Sequence, residues 1–97
     1  MKGMNVKRLE LAGVDTKEEI KMNGKCLSVM VKNITDDDIY VGIGNKDDVT
    51  IEDSVIIKSN CYQIVFINAN EDCARFFDTL VVFGSGTGTV ECMQIVY

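Results

Sequence analysis

The chain has 97 residues, 46% of them apolar, with a net charge of −5, four cysteines, no histidine and no proline. That length holds one domain with one modest core over residues 1–97, and the apolar share argues against disorder. The acidic balance does not suit nucleic acid, which wants a concentrated basic face, and no apolar run approaches the roughly 20 residues of a membrane-spanning helix.

The charge is unevenly spread. Residues 1–32 carry seven basic and four acidic side chains, whereas residues 33–97 carry three and eleven. The basic first third of one copy would therefore complement the acidic loops of another. The opening Met1-Lys-Gly-Met-Asn-Val-Lys-Arg8 has no apolar centre, so no signal peptide is expected. Disulfides are then not expected either, and the cysteines read as small apolar side chains.

In chain order, Asn5 to Leu11 predicts a first strand, with Leu9 and Leu11 on one face. Thr16 and Glu19 have capping-box spacing, but the run is short for a helix. A strand through Glu19–Met22, followed by a turn at Asn23-Gly24, is the preferred reading. Cys26 to Asn33 predicts a strand with Leu27, Val29 and Val31 on one side and Ser28, Met30 and Lys32 on the other. After an acidic turn, Ile39, Val41 and Ile43 face the core and Tyr40 faces out. Gly44 to Asp53 reads as a polar loop.

Ser54–Lys58 and Tyr62–Asn68 predict two strands that are apolar on both faces, as expected inside a sandwich or beneath a partner. Asn70 to Phe77 suggests one helical turn, with Phe76 and Phe77 plugging the end of the sandwich. Asp78–Phe83 and Thr89–Tyr97 flank Gly84-Ser-Gly-Thr-Gly88, which reads as a closing β-hairpin whose glycines supply positive φ. A phosphate loop would need a helix after the glycines, and the following residues are strand formers. Seven to eight short strands predict an all-β fold, a single antiparallel β-sandwich or Greek-key barrel.

Candidate chemistry is sparse. Asp36, Asp37, Asp38, Asp47, Asp48, Glu52 and Asp53 crowd into eighteen residues. Calcium takes such ligands, and Asp36, Asp38, Asp47 and Asp48 are the candidates, but the spacing is not that of an EF-hand and aspartate favours turns intrinsically. No metal or other cofactor is expected. A nucleophilic cysteine has no histidine to activate it, and no catalytic residue is expected. The last strand is apolar on both faces, Val90, Cys92 and Val96 on one and Met93, Ile95 and Tyr97 on the other. A two-layer domain cannot cover both, so Met93, Ile95 and Tyr97, with Val81 and Phe83 of the preceding strand, are candidate interface residues.

The runs Leu27-Ser-Val-Met-Val-Lys-Asn-Ile34, Asp38-Ile-Tyr-Val-Gly42, Ser54-Val-Ile-Ile-Lys-Ser-Asn60 and Asp78-Thr-Leu-Val-Val-Phe-Gly-Ser-Gly-Thr-Gly-Thr-Val90 together resemble small tailed-phage and prophage virion proteins. The resemblance covers about residues 27–97 and is to the capsid-decoration, head-fibre or tail-accessory kind. It implies a non-enzymatic structural subunit, assembled in a bacterial host cytoplasm and carried in the virion. The expected partners are further copies, as a trimer or larger, and other virion proteins. The alternative expectation is a carbohydrate- or calcium-binding module built on Asp36–Asp38, Asp47, Asp48 and surface tyrosines.

Overall fold

A computed structural model describes residues 4–22, 28–66 and 79–95, leaving aside the side chains of residues 4, 5, 66 and 95. Eight strands follow one another: β1 (Met4–Ala12), β2 (Thr16–Lys21), β3 (Ser28–Thr35), β4 (Ile39–Ile43), β5 (Val55–Ile57), β6 (Tyr62–Phe66), β7 (Thr79–Gly84) and β8 (Thr87–Ile95). A single 3-10 turn at Ile51–Asp53 is the helical element among the described residues. Thr16–Lys21 is therefore strand and not helix: Ile20, and Met22 just beyond it, turn into the core while Lys17 and Glu19 turn out.

The strands form two four-stranded sheets, in the orders β1-β8-β3-β6 and β2-β7-β4-β5, and every pairing is antiparallel. The first is called sheet A below and the second sheet B. Between them lie Leu11, Val29, Val31, Val90 and Cys92 from sheet A and Ile20, Ile39, Val41, Leu80 and Val82 from sheet B. Each side chain alternates with an outward neighbour along its strand, so the period-2 pattern alone selects the buried set. Full burial of one such Val, Leu or Ile contributes roughly 1.5–3 kcal/mol.

This strand order is that of the eight-stranded jelly roll, two Greek keys wrapped into a sandwich. Only β4 and β5 are both consecutive and in the same sheet. Four connections cross between the sheets at one end of the sandwich: residues 13–15, 36–38, 58–61 and 85–86. We call this the arch end.

The closing β-hairpin expected from the glycine cluster is not formed. β7 lies at the middle of sheet B and β8 at the middle of sheet A, and Ser85-Gly86 carries the chain from one to the other. The glycines serve close approach more than turn geometry. Of the three, Gly88 has a positive φ of 138°, and a Cβ there would lie 2.3 Å from the Ile34 carbonyl oxygen. A Cβ on Gly84 would lie 2.7 Å from Leu11 Cδ1 of the opposite sheet.

β5 and β6 are edge strands and not interior ones, which corrects the expectation from their apolar sequence. One face of each packs inward through Ile57 and Val65, while Ile56, Ile64 and Tyr62 stand exposed on the outer faces. The polar loop 44–53 also carries an anchor. Val49 is buried against the outer face of sheet B above Gly42, and the Lys46 N–H donates to Glu19 Oε2 at 2.9 Å. The Asn23-Gly24 turn, the Asn70–Phe77 turn with its two phenylalanines, and Tyr97 lie outside the described residues.

Candidate interaction face

The arch end is organised around Asn33, a fully buried side chain near the end of β3. Its Nδ2 donates to the carbonyl oxygens of Asp37 at 2.8 Å and Ile57 at 2.9 Å. Its Oδ1 accepts from the Thr35 N–H at 3.1 Å and from the Thr35 hydroxyl. Its backbone completes the set, donating to the Cys61 carbonyl and accepting from the Asn60 N–H, each at 2.8 Å. One residue thus satisfies polar groups of two strands and two arches.

The acidic candidates are drawn into the same scaffolding. Asp36 Oδ1 accepts from the Thr87 N–H at 2.8 Å, which fixes the β7–β8 crossing. Asp38 accepts from Lys58 Nζ and from the Ser59 N–H, each at 3.2 Å, which fixes the β5–β6 crossing. Asp47 and Asp48 sit on the exposed loop beyond the far end of β4. Among the described residues, no three Asp, Glu, Cys or His side chains come together as a metal site. The structure therefore gives Asp36 and Asp38 capping roles and does not bring Asp47 or Asp48 to them.

Cys92 is buried in the core, where loss of solvent and then the neighbouring Glu91 charge push its thiol up to about 12. That thiol is inert at neutral pH. Cys61 is exposed on the β5–β6 arch.

The outer face of sheet B carries a cross-strand row of Lys17, Phe83, Tyr40 and Ile56. Lys17 Nζ stands 5.3 Å from the centre of the Phe83 ring. Beside this row, toward the arch end, runs an open groove of about 330 Å³ bordered by Asp15, Asp38, Ile51 and Ser85. It brings Asp38 and Tyr40 together, whereas Tyr62 lies in the other sheet. Phe83 is half-buried in this row. Val81 is fully buried, facing Gly42 across the β4–β7 pair, so it offers no surface to a partner.

The outer face of sheet A differs in kind. Register aligns Val6, Met93, Met30 and Ile64 across all four strands. Val6 and Ile64 are about 40% exposed, at 38% and 43%, and the two methionines are half-buried between them. This is a continuous apolar row on a solvent-facing sheet. The next row toward the arch end is Arg8, Glu91, Lys32 and Tyr62, with Arg8 Nε 3.0 Å from Glu91 Oε2. On the other side the register row is Met4, Ile95, Ser28 and Phe66.

Met93 was thus legible as an interface candidate from its own strand, and Ile95 falls in the adjoining register row. Val6, Met30 and Ile64 were missed. Alternation gave Met30 its face, but only the pairing register joins residues so distant in sequence into one row. Compared with family models, with curated proteins and with solved structures, the chain matches none.

Proposed function

We propose that this chain is a non-enzymatic structural subunit of a phage-like particle, working by self-association and by docking to other particle proteins. The observation that carries the reading is the Val6–Met93–Met30–Ile64 row, an apolar stripe across all four strands on the outer face of sheet A. Water-facing sheets normally alternate to polar residues on that side, and contiguous exposed apolar patches mark interaction surfaces. The jelly-roll order supports the reading by analogy alone, since viral capsid domains use it, as do lectins and cupins. The subunit would be made in the host cytoplasm and carried in the virion.

The test is solution mass by light scattering across a concentration series, for the native chain and for Ile64→Asp. The native chain should associate, and Ile64→Asp should be monomeric with an unchanged far-ultraviolet spectrum. A native chain that stays monomeric throughout would overturn self-association. So would an Ile64→Asp chain that assembles as before, for this face.

A further inference from the structure

The two outer rows of sheet A also say how a second copy fits, granted the self-associating reading above. We propose that two copies pack sheet A against sheet A about a two-fold axis that lies in the contact plane, runs parallel to the strands and passes between β8 and β3.

Such an axis exchanges β1 with β6 and β8 with β3, so all four strands are covered by four. It is the isologous arrangement that a self-complementary patch requires. On the apolar row it sets Val6 of one copy over Ile64 of the second copy, and Met93 over Met30 of the second copy. On the charged row it sets Glu91 over Lys32 of the second copy, twice by symmetry, and Arg8 over Tyr62 of the second copy. Stacked sheets lie about 10 Å apart, within reach of long side chains meeting from both sides.

The other simple axes fail on charge. An axis along the charged row would set Glu91 on Glu91 and Lys32 on Lys32, and like charges in register repel. An axis along the apolar row would lay the charged row over Met4, Ile95, Ser28 and Phe66, which carry no charge to answer it. The strand-parallel axis alone pairs apolar with apolar and opposite with opposite.

Within one chain Glu91 and Lys32 are also neighbours, so a double exchange in one chain would not separate the contacts. Mixing two single variants does. Glu91→Lys and Lys32→Glu chains should each lose self-association, because each homodimer sets like charges face to face. Mixed in equal amounts, they should form a 1:1 heterodimer, read by native mass spectrometry. A second measurement does not depend on charge. Val6→Cys and Ile64→Cys chains, each with Cys26, Cys61 and Cys73 replaced by Ser, should be joined by a short bismaleimide as the mixed pair in preference to either homodimer, because β1 stacks on β6 of the second copy whereas like strands lie at opposite edges. Association of the charge variants at native strength would overturn the two-fold arrangement, as would loss without rescue on mixing, or equal yields of all three cross-linked pairs. A native trimer would overturn it too, while leaving self-association standing. A native monomer would instead sink the self-association reading itself.

Discussion

Asn33 Nδ2 reaches from β3 of sheet A to the carbonyl oxygen of Ile57, the last residue of β5 in sheet B, at 2.9 Å. The same nitrogen holds the Asp37 carbonyl, so one amide ties the β3–β4 arch to the end of β5. Replacing it with leucine keeps the volume but strands the Ile57 carbonyl and the Thr35 N–H, and leaves the Asp37 carbonyl to the Thr35 hydroxyl alone. Each unsatisfied buried group costs about 1–3 kcal/mol. Asn33→Leu should therefore destabilise the fold by about 3 kcal/mol or more, measured as a lower urea midpoint at an unchanged slope. A shift below about 1 kcal/mol would mean that the amide does not bind the sheets together.

Gly88 makes a sharper demand than a hairpin glycine would. At φ 138° with the Ile34 carbonyl oxygen 2.3 Å from a Cβ position, alanine meets both backbone strain and an unyielding neighbour. Gly88→Ala should lower stability by more than about 2 kcal/mol, or prevent folding. Thermal unfolding reads this directly, and a Tm within a few degrees of the native value would contradict it.

Val81 and Met30 both lie on outward positions, yet they should respond oppositely to charge. Val81 is fully buried and Met30 only half-buried. Val81→Asp places an unpaired carboxylate in an apolar site and should unfold the chain or destabilise it by about 4 kcal/mol or more. Met30→Glu should leave a folded chain that no longer associates. Circular dichroism and light scattering on the two proteins separate the outcomes, and a folded, monomeric Val81→Asp would restore that residue as an interface candidate.

The Cys92 thiol ties stability to alkaline pH. Its folded value of about 12 lies above the ordinary 9.0, so folding favours the protonated thiol. That contribution is complete below pH about 9 and is lost as pH rises from there toward 12, at a rate of about 1 kcal/mol per pH unit. Cys92→Ala should be less stable than the native chain at neutral pH, with the gap narrowing above pH 9. A constant gap from pH 7 to 11 would contradict the linkage. In the native chain at pH 8, a thiol reagent should label Cys61 and spare Cys92.

The sequence carried the fold class because alternation is local. Val29 and Val31, Ile39 and Val41, and Leu80 and Val82 announce their buried faces without knowledge of their neighbours. It did not carry the pairing. Gly84 to Gly88 looks like a hairpin turn because glycine answers both to positive φ and to close approach, and only the position of Asp36, Asp37 and Ile34 against those glycines decides between them. The same limit hid the candidate face. Met30 and Ile64 read as an outward methionine and half of a two-sided apolar strand, and they become one stripe only when β3 is laid beside β6 in its register. Asp36 and Asp38 looked like ligands in search of an ion because a composition cannot show that backbone N–H groups already occupy them.

The placement of β7 and β8 has a consequence for how the molecule comes into being. Among the described strands only β4 and β5 are paired neighbours in sequence, and β7 and β8 occupy the middle of the two sheets. A growing chain that has reached Phe66 holds only the edges of each sheet and two isolated pairs, β3 with β6 and β4 with β5. β1 finds its ladder only in β8, from Ala12 on Thr87 to Met4 on Ile95. Such non-local topology closes late and slowly, on the scale of milliseconds to seconds. Until residues 79–95 are inserted, the facing edges of β1 and β3, and of β2 and β4, remain open to other chains. Synthesis of this protein is therefore separated from its folding, and residues 79–95 act as the wedge that turns loose ribbons into a sandwich.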